Sequence, residues 1–168
     1  MKCQLSLLLV LINDISGKRF ETRCKLVREL LRIGMPNDMF LGQWVCLIEK
    51  VSKRDTSAFI AKSSGKKFYG LYQIPNEWCR EKKRGGLCNI TCEALLDEDI
   101  RDDTACALLI AKEHGFKFWS KWTTRCKNDN FITTEIYKNN FHIRMSRLIY
   151  STLKSMYKHR RMMREYGQ

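Results

Sequence analysis

The chain has 168 residues, enough for one domain with an appendage, and its 44% apolar content excludes wholesale disorder. A formal charge of +13, from 31 Lys+Arg against 18 Asp+Glu, favours acidic partners: bacterial envelopes, anionic lipid, acidic glycans or nucleic acid. Charge does not choose among them, and no specific nucleic-acid partner is expected.

Met1 and Lys2 give a positive start, and Leu5 to Ile12 is an apolar run ending near the small residues Ser16 and Gly17. This is the pattern of a short secretory signal over residues 1–17. The run is far shorter than the roughly 20 residues that span a bilayer. An uncleaved buried strand is the alternative. Secretion gives the cysteines a meaning. Cys3 would leave with the signal, and Cys24, Cys46, Cys79, Cys88, Cys92, Cys106 and Cys126 read as a disulfide framework with one odd thiol. Zinc is disfavoured, because there is no CxxC pair and the chain has only three histidines.

Cys24 to Ile33 is helical in pattern, with Leu26, Val27, Leu30 and Leu31 on one face and Gly34 as the stop. Leu41 to Val51 repeats this through Leu41, Trp44, Val45 and Ile48. Ser52 to Lys67 is polar, without a long apolar period. A Ser63-Ser64-Gly65 turn leads into Phe68 to Ile74, rich in strand formers and ended by Pro75. Lys82-Lys83-Arg84-Gly85-Gly86 is a basic loop. Asp99 to His114 reads as a third helix, with Ile100, Thr104, Ala107, Leu108 and Ala111 inward. Phe118 to Cys126 reads as a fourth, carrying Trp119 and Trp122. The remaining segment, 127–168, has nine Lys/Arg against three Asp/Glu and no cysteine. From Phe141 to Tyr166 it reads as a basic amphipathic helix, which would either pack on the domain, remain solvated or lie on an anionic membrane.

Several of these residues carry a resemblance. Cys88-x3-Cys92-x2-Leu95-x3-Asp99-Ile100-x5-Cys106 is a specific ladder. Cys24-x-Leu26-x3-Leu30, Trp44-Val45-Cys46, Tyr69-Gly70-Leu71-Tyr72-Gln73-Ile74, Trp78-Cys79 and Trp119-x2-Trp122-x3-Cys126 accompany it in order. Together they resemble the c-type lysozyme and α-lactalbumin family over about Lys18 to Cys126. The resemblance implies an α+β fold, mainly helical with a small antiparallel sheet, over 18–126, with 127–168 as a basic C-terminal extension. It implies bridges Cys46–Cys126, Cys79–Cys92 and Cys88–Cys106. The family partner of Cys24 lies near the C-terminus and is missing here, so Cys24 is the odd thiol, available to a disulfide-linked partner.

Retaining glycoside hydrolysis uses two carboxyl groups about 5 Å apart. By the resemblance, the acid position is occupied by Val51 and the nucleophile position by Phe68. Pro75 replaces the usual Asn, and the stretch to Cys79 is one residue short. Glu49, two residues before Val51, lies about 200° around the helix from it, and Asp55 lies in a loop. The expectation is therefore a secreted, non-enzymatic binder of peptidoglycan or another N-acetylglucosamine-containing glycan, with Trp78, Trp119 and Gln73 as glycan-binding residues. Core packing is the competing role for the tryptophans and is favoured for Trp44 and Trp122. A cationic, membrane-active antimicrobial protein and a residual muramidase are the alternatives.

Asp97 to Asp103 holds five acids in seven residues. The segment resembles the calcium loop of α-lactalbumin and the calcium-binding lysozymes. The resemblance assigns one calcium ion to the side chains of Asp97, Asp102 and Asp103 and the backbone carbonyls of Ala94 and Asp99. Capping and the macrodipole at a helix start explain one or two such acids, not five.

Overall fold

The computed structural model describes residues 17–38, 40–129 and 135. The apolar run before Ser16 and the basic helix expected over 141–166 lie outside the described residues. The chain divides into two compact units, one built on Asp55–Leu109 with the residues up to Arg19, the other on Phe20–Arg54 and the chain from Ile110.

The second unit is helical. Thr22 caps α1 (Arg23–Arg32), its hydroxyl accepting the Lys25 N–H at 3.2 Å. Leu26, Val27 and Leu30 are buried, as the 3.6-residue period requires. Leu31, one step further round the helix, is only half-buried. Gly34 ends the helix at φ +93°, a conformation open to a residue without Cβ, and the Met35 N–H closes the turn on the Leu30 carbonyl at 2.9 Å. The second helix, α2 (Leu41–Ser52), buries Leu41, Trp44, Val45, Leu47 and Ile48.

The single helix expected from Phe118 to Cys126 is two pieces. A 3-10 turn, Phe116–Phe118, precedes an extended Trp119. The helix α4 (Ser120–Arg125) follows. The break lets Trp119 set its ring edge against Trp44, with centroids 5.8 Å apart. Aromatic packing here outweighs helix continuity. Trp122 stays half-buried, stacked on Phe116 and donating from its indole N–H to Gln43 Oε1 at 2.7 Å. Cys46 is bonded to Cys126, tying α2 to the end of α4.

The first unit carries the sheet. Strands β1 (Phe59–Ala61), β2 (Lys67–Tyr69) and β3 (Ile74–Pro75) pair antiparallel in that order. Ile60 lies opposite Phe68, and Phe68 opposite Pro75. Two segments form more than their residue patterns specify. The polar stretch Ser52–Lys67 contains β1, whose three residues are all exposed and therefore show no alternation. The run from Phe68 to Ile74 is two strands and a turn, because Gly70 (φ +68°) and Gln73 (φ +51°) reverse the chain and the Gln73 N–H closes on the Gly70 carbonyl at 3.1 Å. Cys79–Cys92 and Cys88–Cys106 hold the loops. The third helix, α3 (Ile100–His114), buries Ile100, Thr104 and Ala107 as expected. Leu108 does not face inward: it is exposed, and Ile110, at the next turn of the buried face, is buried instead.

Candidate functional site

Two sets of groups carry possible chemistry, one in each unit. In the helical unit, Val51 sits in the last turn of α2, half-buried. Two residues before it, Glu49 is clamped. Its Oε2 accepts from Arg23 Nε at 2.8 Å and its Oε1 from Arg54 Nη1 at 2.6 Å. Arg54 is held in turn by donating to the Phe20 carbonyl at 2.9 Å, and Arg23 reaches Glu135 at 2.6 Å. Burial pushes the Glu49 carboxyl up, but the Arg23 hydrogen bond and the Arg23, Arg54 and Lys50 charges outweigh it and hold the group below its ordinary value. A general acid needs the opposite shift. Asp55 is occupied as well: its Oδ1 accepts the Ser57 N–H at 2.9 Å and the Ser57 hydroxyl at 2.7 Å. Glu49 is thus held as a charged strut by its arginines, and Asp55 is tied to Ser57.

Phe68 stands at the centre of β2, between Ile60 and Pro75, with Lys62 Nζ 4.9 Å above its ring. Trp78 and Trp119 are buried, at 2% and 5% exposure, so neither presents an open indole face. Gln73 is also buried. Its Nε2 donates to the Ala58 and Gly70 carbonyls at 2.8 and 3.0 Å, which makes it a strut for the turn between β2 and β3, and its Oε1 has no hydrogen-bond partner. Cys24 is exposed on α1 and takes part in none of the three disulfides.

The acidic segment lies wholly in the sheet-bearing unit. After the 3-10 turn Glu93–Leu96, Asp97 Oδ1 accepts the Asp99 N–H at 2.7 Å. Asp99 caps the Arg101 N–H and receives the Arg101 guanidinium at 2.7–3.1 Å, so that side chain is turned onto Asp99. Asp102 Oδ1 accepts the Asp103 N–H at 3.1 Å. Capping thus accounts for Asp97 and Asp99. It does not account for Asp103, which is 0% exposed with neither carboxylate oxygen hydrogen-bonded. Burial first, then the charges of Asp102 and Asp97, pushes its carboxyl well above its ordinary value; burial also raises Asp102. Gly70 closes over this carboxylate: a Cβ there would stand 2.8 Å from Asp103 Oδ1 and 1.8 Å from the Leu95 carbonyl oxygen. Sequence reasoning placed Asp103 among the acids but not in isolation from water, because burial depends on the approach of the Gly70 turn. Among the described residues no three acidic, thiol or imidazole side chains are already gathered as a metal cage.

The profile of the C-type lysozyme/alpha-lactalbumin family matches residues 18–135. The chain belongs to this family. It is 40% identical to a lysozyme of Bombyx mori over 122 residues, covering 71% of this chain and 88% of that one. It is 32% identical to lysozyme-like protein 1 of Mus musculus, covering 72% and 86%. The structure of recombinant canine milk lysozyme, apo-type, superposes with a TM-score of 0.59 at 36% identity, over 67% of this chain and 92% of that one. The lysozyme-like fold, the small antiparallel sheet and the three bridges are those of this family member, and the match runs past Cys126 to residue 135.

Proposed function

We propose that this lysozyme-family chain is a secreted, non-hydrolysing protein that binds peptidoglycan or a related N-acetylglucosamine-containing glycan. One observation carries the proposal: Val51 and Phe68 occupy the positions that the resemblance assigns to the acid and the nucleophile, and neither side chain can give or take a proton. The clamped Glu49 and the capped Asp55 support it, since neither can stand in. General acid–base catalysis contributes about 10²–10⁴-fold in rate, so losing both groups leaves little turnover. Three disulfides agree with an oxidising, extracellular destination.

Clearing of bacterial cell-wall suspensions is the test. No clearing is expected over hours, with retention on insoluble peptidoglycan at moderate salt. Clearing at the rate of an ordinary lysozyme would overturn the non-hydrolysing reading, and loss of retention beside a retained lysozyme control would overturn the glycan reading. Trp78 and Trp119, being buried, enter this proposal only as support beneath the glycan surface, and Gln73 through the turn it holds.

The same proposal includes one calcium ion. The orphaned, buried Asp103 carboxylate fits a cation better than it fits its present surroundings. Asp97, Asp102 and Asp103 would supply side-chain oxygens and Ala94 and Asp99 backbone carbonyls, once Asp97 releases the Asp99 N–H. Calcium would supply charge neutralisation and hold the loop that leads into α3; it takes no part in bond breaking.

A further inference from the structure

The loop before Cys92 holds a motif that neither the calcium nor the glycan-binding reading uses. Asn89-Ile90-Thr91 is the only place in the 168 residues where an asparagine is followed by a non-proline residue and then by Ser or Thr. That triplet is the acceptor pattern for N-linked glycosylation of secreted chains. Gly85 and Ile90 pair through reciprocal backbone bonds of 3.2 and 3.0 Å, which leaves Gly86 to Asn89 as a tight tip. Asn89 stands at φ +51°, a left-handed conformation that asparagine adopts more readily than most residues. Its backbone is engaged on both sides: the N–H donates to the Gly86 carbonyl at 3.2 Å, and its own carbonyl accepts Arg84 Nε at 3.1 Å. Its side chain is exposed and takes no part in those bonds. Lys82, Lys83, Arg84, Gly86 and Leu87 are exposed as well, Leu87 at 64%, so a bulky group on the Asn89 amide meets solvent rather than protein.

We propose that Asn89 is a site of N-linked glycosylation. The site goes beyond glycan binding and rests only on the secretory part of the proposed function. The donor class is an oligosaccharide joined to a lipid diphosphate. The Asn89 side-chain nitrogen attacks the anomeric carbon. A C–N bond forms, the bond from that carbon to the diphosphate oxygen breaks, the lipid diphosphate leaves and the amide gives up one proton. Nothing is oxidised or reduced. The Thr91 hydroxyl is the second element of the motif, and in the folded loop it is occupied: it accepts the Ala94 N–H at 3.3 Å at the start of the 3-10 turn. Cys88 and Cys92, on either side, are locked in bridges. Transfer therefore takes place on the extended chain, before the loop folds and the bridges close. A chain grows by roughly 5–20 residues per second and disulfides take seconds or longer to form, which leaves that interval open. The folded loop then carries the sugar without rearranging, since none of the bonds that close it involves the Asn89 amide.

The full chain is expressed with its own N-terminus in cultured mammalian cells, and medium and cell lysate are weighed by intact mass spectrometry before and after peptide N-glycosidase F in heavy-oxygen water. That enzyme turns a glycosylated asparagine into an aspartate carrying the heavy oxygen, so peptide mapping of the parent chain locates the sugar without any variant. Expected is a chain in the medium heavier by a glycan, with the excess removed by the enzyme and the label at residue 89. Asn89→Gly, which keeps the left-handed backbone accessible, and Thr91→Val should lose the excess mass. Thr91→Ser, which keeps the hydroxyl, should retain it. Chain in the medium without the excess mass overturns the glycosylation site and leaves secretion standing. Label only at other residues, or enzyme-sensitive excess mass that survives Thr91→Val, overturns the site too. Chain confined to the cytosol without excess mass overturns both the site and the secretory reading.

Discussion

Glu49 shows how one residue can be chemically capable and structurally retired. Its carboxylate joins Arg23 and Arg54 in a partly buried network, and its lowered pKa is the mark of that pairing. A carboxyl with a depressed folded pKa contributes stability that is present above the unfolded value of 4.5 and lost as pH falls through the folded value. Glu49→Gln is therefore expected to lower stability by about 1–2 kcal/mol at pH 7, where the charged hydrogen bonds are lost but partly solvated. The difference from the parent should shrink toward zero as pH falls below the folded value. Urea melts across that range check this, and a pH-independent difference would assign Glu49 a packing role instead.

Asp103 is the opposite case, a buried carboxyl with neither oxygen hydrogen-bonded and with the like charges of Asp102 and Asp97 beside it. Asp103→Asn is expected to abolish any calcium-induced rise in melting temperature without unfolding the chain. In the parent, calcium at 100 times its Kd should add about 2.7 kcal/mol. Thermal melts in millimolar calcium and in chelator decide the matter; identical melting temperatures for the parent would remove calcium from the account.

At the scale of elements, the turn between β2 and β3 matters most. Gly70 adopts φ +68° and lies where any Cβ would collide with the Leu95 backbone. Gly70→Ala is expected to cost about 2–4 kcal/mol, since the obstacle is backbone and cannot swing aside. Chemical denaturation measures it, and a loss below about 0.5 kcal/mol, the scatter of ordinary surface changes, would show that the turn repacks. The same turn explains why Phe68 to Ile74, though rich in strand formers, is not one strand. Strand-forming side chains fill the run, and their propensity is overruled by two positive-φ residues that let Gln73 brace Ala58 and Gly70 from within. On α3 the inward positions Ile100, Thr104 and Ala107 were legible from period alone. Leu108 was not, because a helix of mixed hydrophobicity offers two plausible apolar edges and packing selects one.

For the whole molecule, the cysteine count makes a direct prediction. Among the described residues Cys46, Cys79, Cys88, Cys92, Cys106 and Cys126 form three bridges, and Cys24 is exposed outside them. Mass spectrometry of the unreduced protein is expected to find Cys24 alkylated or linked to a second molecule. An intramolecular bridge from Cys24, to Cys3 in an uncleaved precursor for instance, would contradict it. By itself the sequence determined the family, through the motifs that carry the resemblance, and the resemblance implied the three bridges; most of the helical faces followed from 3.6-residue periodicity, a local quantity written in residue order. The proposal that Val51 and Phe68 stand at the family's carboxylate positions comes from the resemblance. Only the tertiary structure decided that Trp78 and Trp119 are buried, that Glu49 is held by two arginines, that Asp103 is cut off from water and that Lys62 rides on Phe68. Each of those facts depends on groups far apart in the chain meeting at a few ångströms, and burial and charge pairing exist only once they meet.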